Sequence, residues 1–147
     1  MTPDVDFEHV AGLIQTVAAE EVKAKLGLLS AADITEKSAG DFVTSADLAV
    51  EHRLGELLKD YMPAAEPLGE EAIAAGRGAI AALAEDRLFW VIDPIDGTSA
   101  FAMALPPCAV IVSVVRQDEV VAAWLPHPFG EPISRGGLGA RACLGCV

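Results

Sequence analysis

The sequence predicts an α/β fold, a mixed sheet with helices packed on it, and three observations carry that expectation. Leu88-Phe89-Trp90-Val91-Ile92 is a continuous apolar run bounded by charge, the pattern of a strand buried on both faces. Two earlier stretches repeat apolar residues at helical spacing. Two β-rich runs, 109–115 and 120–125, flank the polar turn Arg116-Gln117-Asp118-Glu119 and read as a hairpin. At 147 residues the chain suits a single domain, 1–147.

Taken in order, Phe7, Val10, Ile14 and Val17 recur at three and four, with Glu20, Glu21, Lys23 and Lys25 gathered toward the end, so a helix is expected over 4–26, closed by Gly27. Residues 28–43 lack helical repeats and are expected to be extended or a hairpin. Thr44-Ser45-Ala46-Asp47 resembles a capping box with Asp in place of Glu. The stripe Val50, Leu54, Leu57, Leu58 and Tyr61 makes a second helix that Pro63 ends. A loop then carries Pro63 and Pro67 to Leu68-Gly69-Glu70-Glu71, and the Ala-rich stretch 72–84 holds a short helix after Arg77. With aromatics at 5% and a hydrophobic content of 52%, the core is expected to be aliphatic.

Composition excludes several functions. A net charge of −12 opposes any groove that follows a phosphate backbone, so no nucleic-acid partner is expected. No charged residue lies between Asp96 and Arg116, but Pro106-Pro107 divides that stretch and neither half is long enough to span a membrane. The opening MTPDVDFEHV has acids where an export signal has a basic region, so a cytoplasmic location is expected. Cys108, Cys143 and Cys146 are odd in number, and the Cys143–Cys146 spacing has no second ligand pair, so they read as inert thiols. His9 and His52 fall on the expected helices and His127 between two prolines, all surface or packing residues.

The sharpest feature is Asp93-Pro94-Ile95-Asp96-Gly97-Thr98 at the end of the buried strand. Ligands of open α/β sheets bind outside strand C-termini. Pro94 fixes its own φ and Gly97 permits a tight reversal, so Asp93 and Asp96 can turn toward a common point with the Ile95 carbonyl between them. Hard oxygen ligands of that kind suit Mg2+ or Mn2+ rather than zinc. Glu70 and Glu71, from a separate segment, could supply the further carboxylate that holds the ion and orients water. Competing motifs fail: the acids are D-x-x-D rather than D-x-D, there is no G-x-S-x-G, H-E-x-x-H or Walker loop, and the glycine pattern over 137–142 has no strand before it.

These residues resemble the inositol monophosphatase family, within the superfamily that includes fructose-1,6-bisphosphatase and phosphoadenosine-phosphate phosphatases. The resemblance rests on Glu36-Lys37-Ser38 with Asp41-Phe42-Val43-Thr44 and Asp47, then Gly69-Glu70-Glu71, then the block from Trp90 to Thr98, all in the family's order. It implies that Glu70, Asp93 and the Ile95 carbonyl hold one Mg2+, with Asp93 and Asp96 sharing a second. It further implies that Glu70 and Thr98 activate water, that Asp47 supports Thr98, that the Gly97 and Thr98 amides receive the phosphate, and that Lys37 lends charge nearby. The implied reaction is Mg2+-dependent, lithium-sensitive hydrolysis of a small phosphorylated polyol such as inositol monophosphate by in-line attack of water.

Two departures from the family pattern bear on that expectation. Ser99-Ala100 stands where the family usually has a larger or polar residue and then Asn. The family's further metal-binding Asp, in a Trp-Asp-x-Ala block of its C-terminal half, has no counterpart before Val147. The chain is therefore expected to be an N-terminal portion of the domain, with weak or no activity as it stands. Alternatives are a non-catalytic metal- or partner-binding remnant, or a relative acting on phosphoadenosine phosphate, histidinol phosphate or fructose bisphosphate. An unfinished sheet with a free edge also predicts self-association or a homodimer.

Overall fold

The structure, a computed structural model, describes residues 3–102, 109–125 and 134–136. Asp6 opens helix α1 (Phe7–Val17) by accepting the Glu8 and His9 amides at 3.1 and 3.0 Å, and Val10, Ile14 and Val17 are buried along one face. The helical span expected over 4–26 is not uniform. Beyond α1 the winding widens to a π turn over Ala18–Val22 and tightens to a 3-10 turn over Lys23–Lys25. Val22 is the last buried side chain, and nothing apolar in Lys23–Lys25 holds the coil against the core. Gly27 then reverses the chain with φ 76°.

The segment expected to be extended forms an antiparallel hairpin of β1 (Ile34–Ser38) and β2 (Asp41–Thr44). Helix α2 (Ser45–Tyr61) follows at once, opened by the capping box: Thr44 accepts from the Asp47 amide while Asp47 accepts from the Thr44 amide. Its buried face is Ala46, Asp47, Val50, Leu54 and Leu58, with Leu57 and Tyr61 packed at the margin. Arg53 ties α2 to the chain beyond α1 through Glu20 and Glu21, at 2.7 and 3.0 Å.

The main sheet has five strands in the order β3-β4-β5-β6-β7, from β3 (Ala65–Gly69), β4 (Leu88–Asp96), β5 (Ala109–Arg116), β6 (Glu119–Leu125) and β7 (Ser134–Gly136). Only β3 and β4 run parallel; the other neighbours are antiparallel, so the sheet is mixed. The stretch with Pro67, expected as a loop, is thus an edge strand, where a missing N–H is tolerated. Between β3 and β4 lie the short helix α3 (Glu70–Ala74) and a 3-10 turn over Ile80–Ala84, where the sequence predicts a helix. β4 runs past Pro94 to Asp96, its register against β5 shifting between Asp93 and Asp96. The β5–β6 turn is Gln117-Asp118, both at positive φ.

Helices α1 and α2 lie against the sheet over a core that is mostly Val, Ala, Ile and Leu, as expected, with tryptophans as its largest fully buried side chains. Trp90 and Trp124 are both fully buried, their ring centroids 5.8 Å apart, with Phe7 tilted against Trp124 at 5.0 Å and Tyr61 tilted against Trp90 at 6.4 Å. Four of the chain's eight aromatics thus gather at one point between the helices and the sheet. His9 stacks on Tyr61 at 5.1 Å and His52 stands exposed beside Glu56. Among the described residues no helix is long and apolar enough to cross a membrane. Pro106-Pro107, the three cysteines, His127 and the glycine pattern at 137–142 lie outside the described residues.

Candidate active site

Parallel pairing brings two acids to one place. Gly69 is in register with Ile92, so the next residue of each strand, Glu70 and Asp93, emerges at the C-terminal end of the parallel pair. Strand ends of this kind collect ligand groups. A cleft of about 240 Å³ opens there, lined by Asp41 and Phe42 from β2, Glu70 from α3, and Asp93, Ile95, Asp96, Gly97 and Thr98 from the end of β4 and the start of α4 (Thr98–Ala102).

Asp93 is the most perturbed group in it. Burial, then the hydrogen-bonded approach and charge of Glu70, then the charges of Asp96 and Asp47, push its carboxyl up to about 8. Its Oδ1 is buried and has no hydrogen-bond partner. An acid in that state shares a proton with its neighbour or awaits a counter-charge. Glu70 is half-exposed, and Asp96 stands at the exposed rim. Among the described residues no three His, Cys, Asp or Glu side chains are gathered into a ready-made metal cage. Asp93 and Glu70 pair, while Asp96 lines the same cleft without closing on them.

Behind Thr98 stands a hydrogen-bonded relay from α2. Asp47, wholly buried, takes the Thr44 amide at 2.8 Å and the Thr44 hydroxyl at 2.5 Å on Oδ2, and faces the Thr98 hydroxyl with Oδ1 at 2.9 Å. Burial raises its pKa, and the Thr44 and Thr98 hydrogen bonds oppose the rise. The Thr98 hydroxyl lies 2.8 Å from the Ile95 carbonyl as well, so one proton has two acceptors. Gly97, at φ 90°, makes the reversal that starts α4. Amides in a first helical turn have no intrahelical acceptor.

Lys37 reaches the rear of the site from β1, with Nζ 3.2 and 3.1 Å from the two Glu71 oxygens and 3.9 Å from Glu70. Burial pulls its pKa down, but the Glu71 hydrogen bond and the charges of Glu71, Glu70 and Asp41 leave it raised. The structure thus brings Glu70, Asp93, Ile95, Asp96, Gly97 and Thr98 to the lining of one cleft, with Asp47 buried behind Thr98. The sequence gives no lining role to Asp41 and Phe42 and misses Glu51 altogether. Glu51 follows Asp47 by four, on the same side of α2, and that spacing is the one signal that could have found it.

A profile of the inositol monophosphatase family matches residues 6–145. The chain is 32% identical over 136 residues to the fructose-1,6-bisphosphatase/inositol-1-monophosphatase of Aquifex aeolicus, covering 91% of this chain and 49% of that protein. Its fold is similar to that of the extragenic suppressor protein suhB from Bartonella henselae, with TM-score 0.70 and 22% identity over 90% of this chain and 48% of that one. It is also similar to an IMPase/NADP phosphatase solved with Mg2+ and phosphate, with TM-score 0.68 and 18% identity over 90% of this chain and 48% of that one. The chain spans about half the length of the relatives it matches.

Proposed function

The chain belongs to the inositol monophosphatase family, and from that premise we propose that its cleft serves a phosphate monoester hydrolase dependent on Mg2+ and acting on a small phosphorylated polyol. The observation that carries the proposal is Asp93: a carboxyl with one buried oxygen unpartnered and the other side pressed against Glu70, pushed up to about 8 by burial first and by the neighbouring acids next. All the candidate donors are hard oxygens, the set that divalent Mg2+ or Mn2+ takes. Asp93, Glu70 and the Ile95 carbonyl would hold the ion, and Asp96 at the rim could hold another.

When bound, such an ion supplies the positive charge that lets an anionic ester enter so acidic a cleft, and it acidifies water. The chain's own groups do the rest. With its proton given to Asp47, the Thr98 hydroxyl presents lone pairs that can accept a proton from an attacking water and fix its direction. Asp47 keeps that orientation because Thr44 holds its other oxygen. Gly97 and Thr98 line the cleft, and their amides would receive the phosphate oxygens. Lys37 is engaged by Glu71 and contributes charge from behind.

Inositol monophosphate is the substrate that the family supports first; the bifunctional name of the Aquifex relative keeps fructose bisphosphate as a second. Calorimetric titration of Mg2+ and Mn2+ into the chain and into Asp93→Asn tests the centre of the proposal. Binding by the parent and loss of it in Asp93→Asn is expected; equal binding would remove the ion from this cleft. Phosphate release from inositol monophosphate, assayed beside fructose bisphosphate, then ranks the substrates.

A further inference from the structure

We propose that Glu51 is a positioning residue of this site, which grips the main chain behind Glu70, and that Gly69 is glycine to leave room for that grip. The proposal rests on the cleft being a cation site and adds to it the means by which Glu70 is aimed. Both Glu51 oxygens are committed: one accepts the Glu71 amide at 2.7 Å and the other the Ala72 amide at 2.8 Å. Those are first-turn amides of α3, a helix of five residues, far too short to hold itself together.

Glu70 is therefore fixed from both sides. On one flank Gly69 is locked into the β3–β4 ladder opposite Ile92, and on the other Glu51 holds residues 71 and 72. The backbone is pinned and the carboxylate stays half-exposed toward Asp93, which is what a ligating side chain requires. Gly69 has an ordinary φ of −99°, so its backbone does not call for glycine. A Cβ built there would overlap the Glu51 carboxylate and carboxyl-bearing stem. With both oxygens spent on amides, Glu51 is placed to support the ligand rather than to be one.

The experiment is Mn2+ titration by calorimetry on the 147-residue chain and on Glu51→Ala, Glu51→Gln, Gly69→Ala and Asp93→Asn, paired with amide hydrogen exchange. Glu51→Ala and Gly69→Ala are each expected to weaken Mn2+ binding about tenfold, the usual scale for groups that orient a ligand. Both should speed exchange at Glu71 and Ala72 while the β4–β5 amides stay protected. Glu51→Gln keeps one acceptor and should fall between; with Gly69→Ala it carries the test if Glu51→Ala fails to fold. Unchanged Mn2+ affinity in the folded variants, with Asp93→Asn still abolishing binding, would overturn the positioning role and leave the cleft reading standing. Equal binding by parent and Asp93→Asn would overturn both.

Discussion

Substitution of Asp47 separates the two duties that this one carboxylate performs. In Asp47→Ala the return half of the capping box is lost, the carboxylate that accepts the Thr44 amide, while Thr44 still caps the Asp47 amide. The Thr44 hydroxyl and amide, buried with Thr44 itself at 1% exposure, also lose their acceptor, a penalty of about 1–3 kcal/mol. With two buried donors stranded, the loss is roughly 2–4 kcal/mol, a lowering of the melting temperature by about 6–12 °C for a chain of this size. Asp47→Asn behaves differently. If its amide oxygen keeps the two Thr44 donors, its NH2 faces Thr98, which must then turn its own proton to the Ile95 carbonyl. Stability should stay within about 1 kcal/mol of the parent, yet the hydroxyl lone pair would be consumed. Thr98→Val, which leaves the cap intact, should cost about 1 kcal/mol. Thermal and urea unfolding of the three variants measures this; an Asp47→Ala cost no larger than that of Thr98→Val would refute the capping reasoning.

Lys37→Met strands Glu71, whose side chain is 4% exposed, so a loss of about 2–3 kcal/mol is expected in urea unfolding, partly restored by adding Glu71→Leu. Burial raises Asp47, Glu51, Glu71 and, to about 8, Asp93 on folding. Carboxyls raised in this way stabilise the folded chain below the ordinary carboxylate range and lose that contribution as pH rises through the folded values. The melting temperature in chelator should accordingly fall between pH 5 and about 8.5, and millimolar Mg2+ should flatten the fall; a flat profile without metal would contradict it. Gln117→Asn with Asp118→Gly, placed where both residues have positive φ, should raise stability by about 1 kcal/mol in urea unfolding.

Local pattern made much of this molecule legible. The apolar run at 88–92, the Thr44–Asp47 box and the hairpin pair each signal themselves within one short contiguous stretch, and each stands where the sequence predicts. What escaped depends on contacts across the chain. Pro67 reads as a loop because only pairing with Trp90 shows that it lies on a sheet edge. The coil after Val17 widens at Ala18 while Ala18 and Val22 are still buried, and tightens at Lys23 where burial ends; no helical period announces either change. At the site, the acids of the D-x-x-D segment are plain, but the Lys37–Glu71 pair and the Glu51 hydrogen bonds join segments 34 and 20 residues apart. Nor does composition reveal that two tryptophans meet in the core.

The separation of Glu70 from Asp93 is dictated by a ladder of backbone hydrogen bonds and not by the length of chain that joins them. Insertions or deletions over 75–87 should therefore leave the two acids neighbours, so that the connecting segment is free to drift in size and composition. Removing one residue from within Ala65–Gly69, by contrast, would slide the whole strand by a step and set a different side chain opposite Asp93.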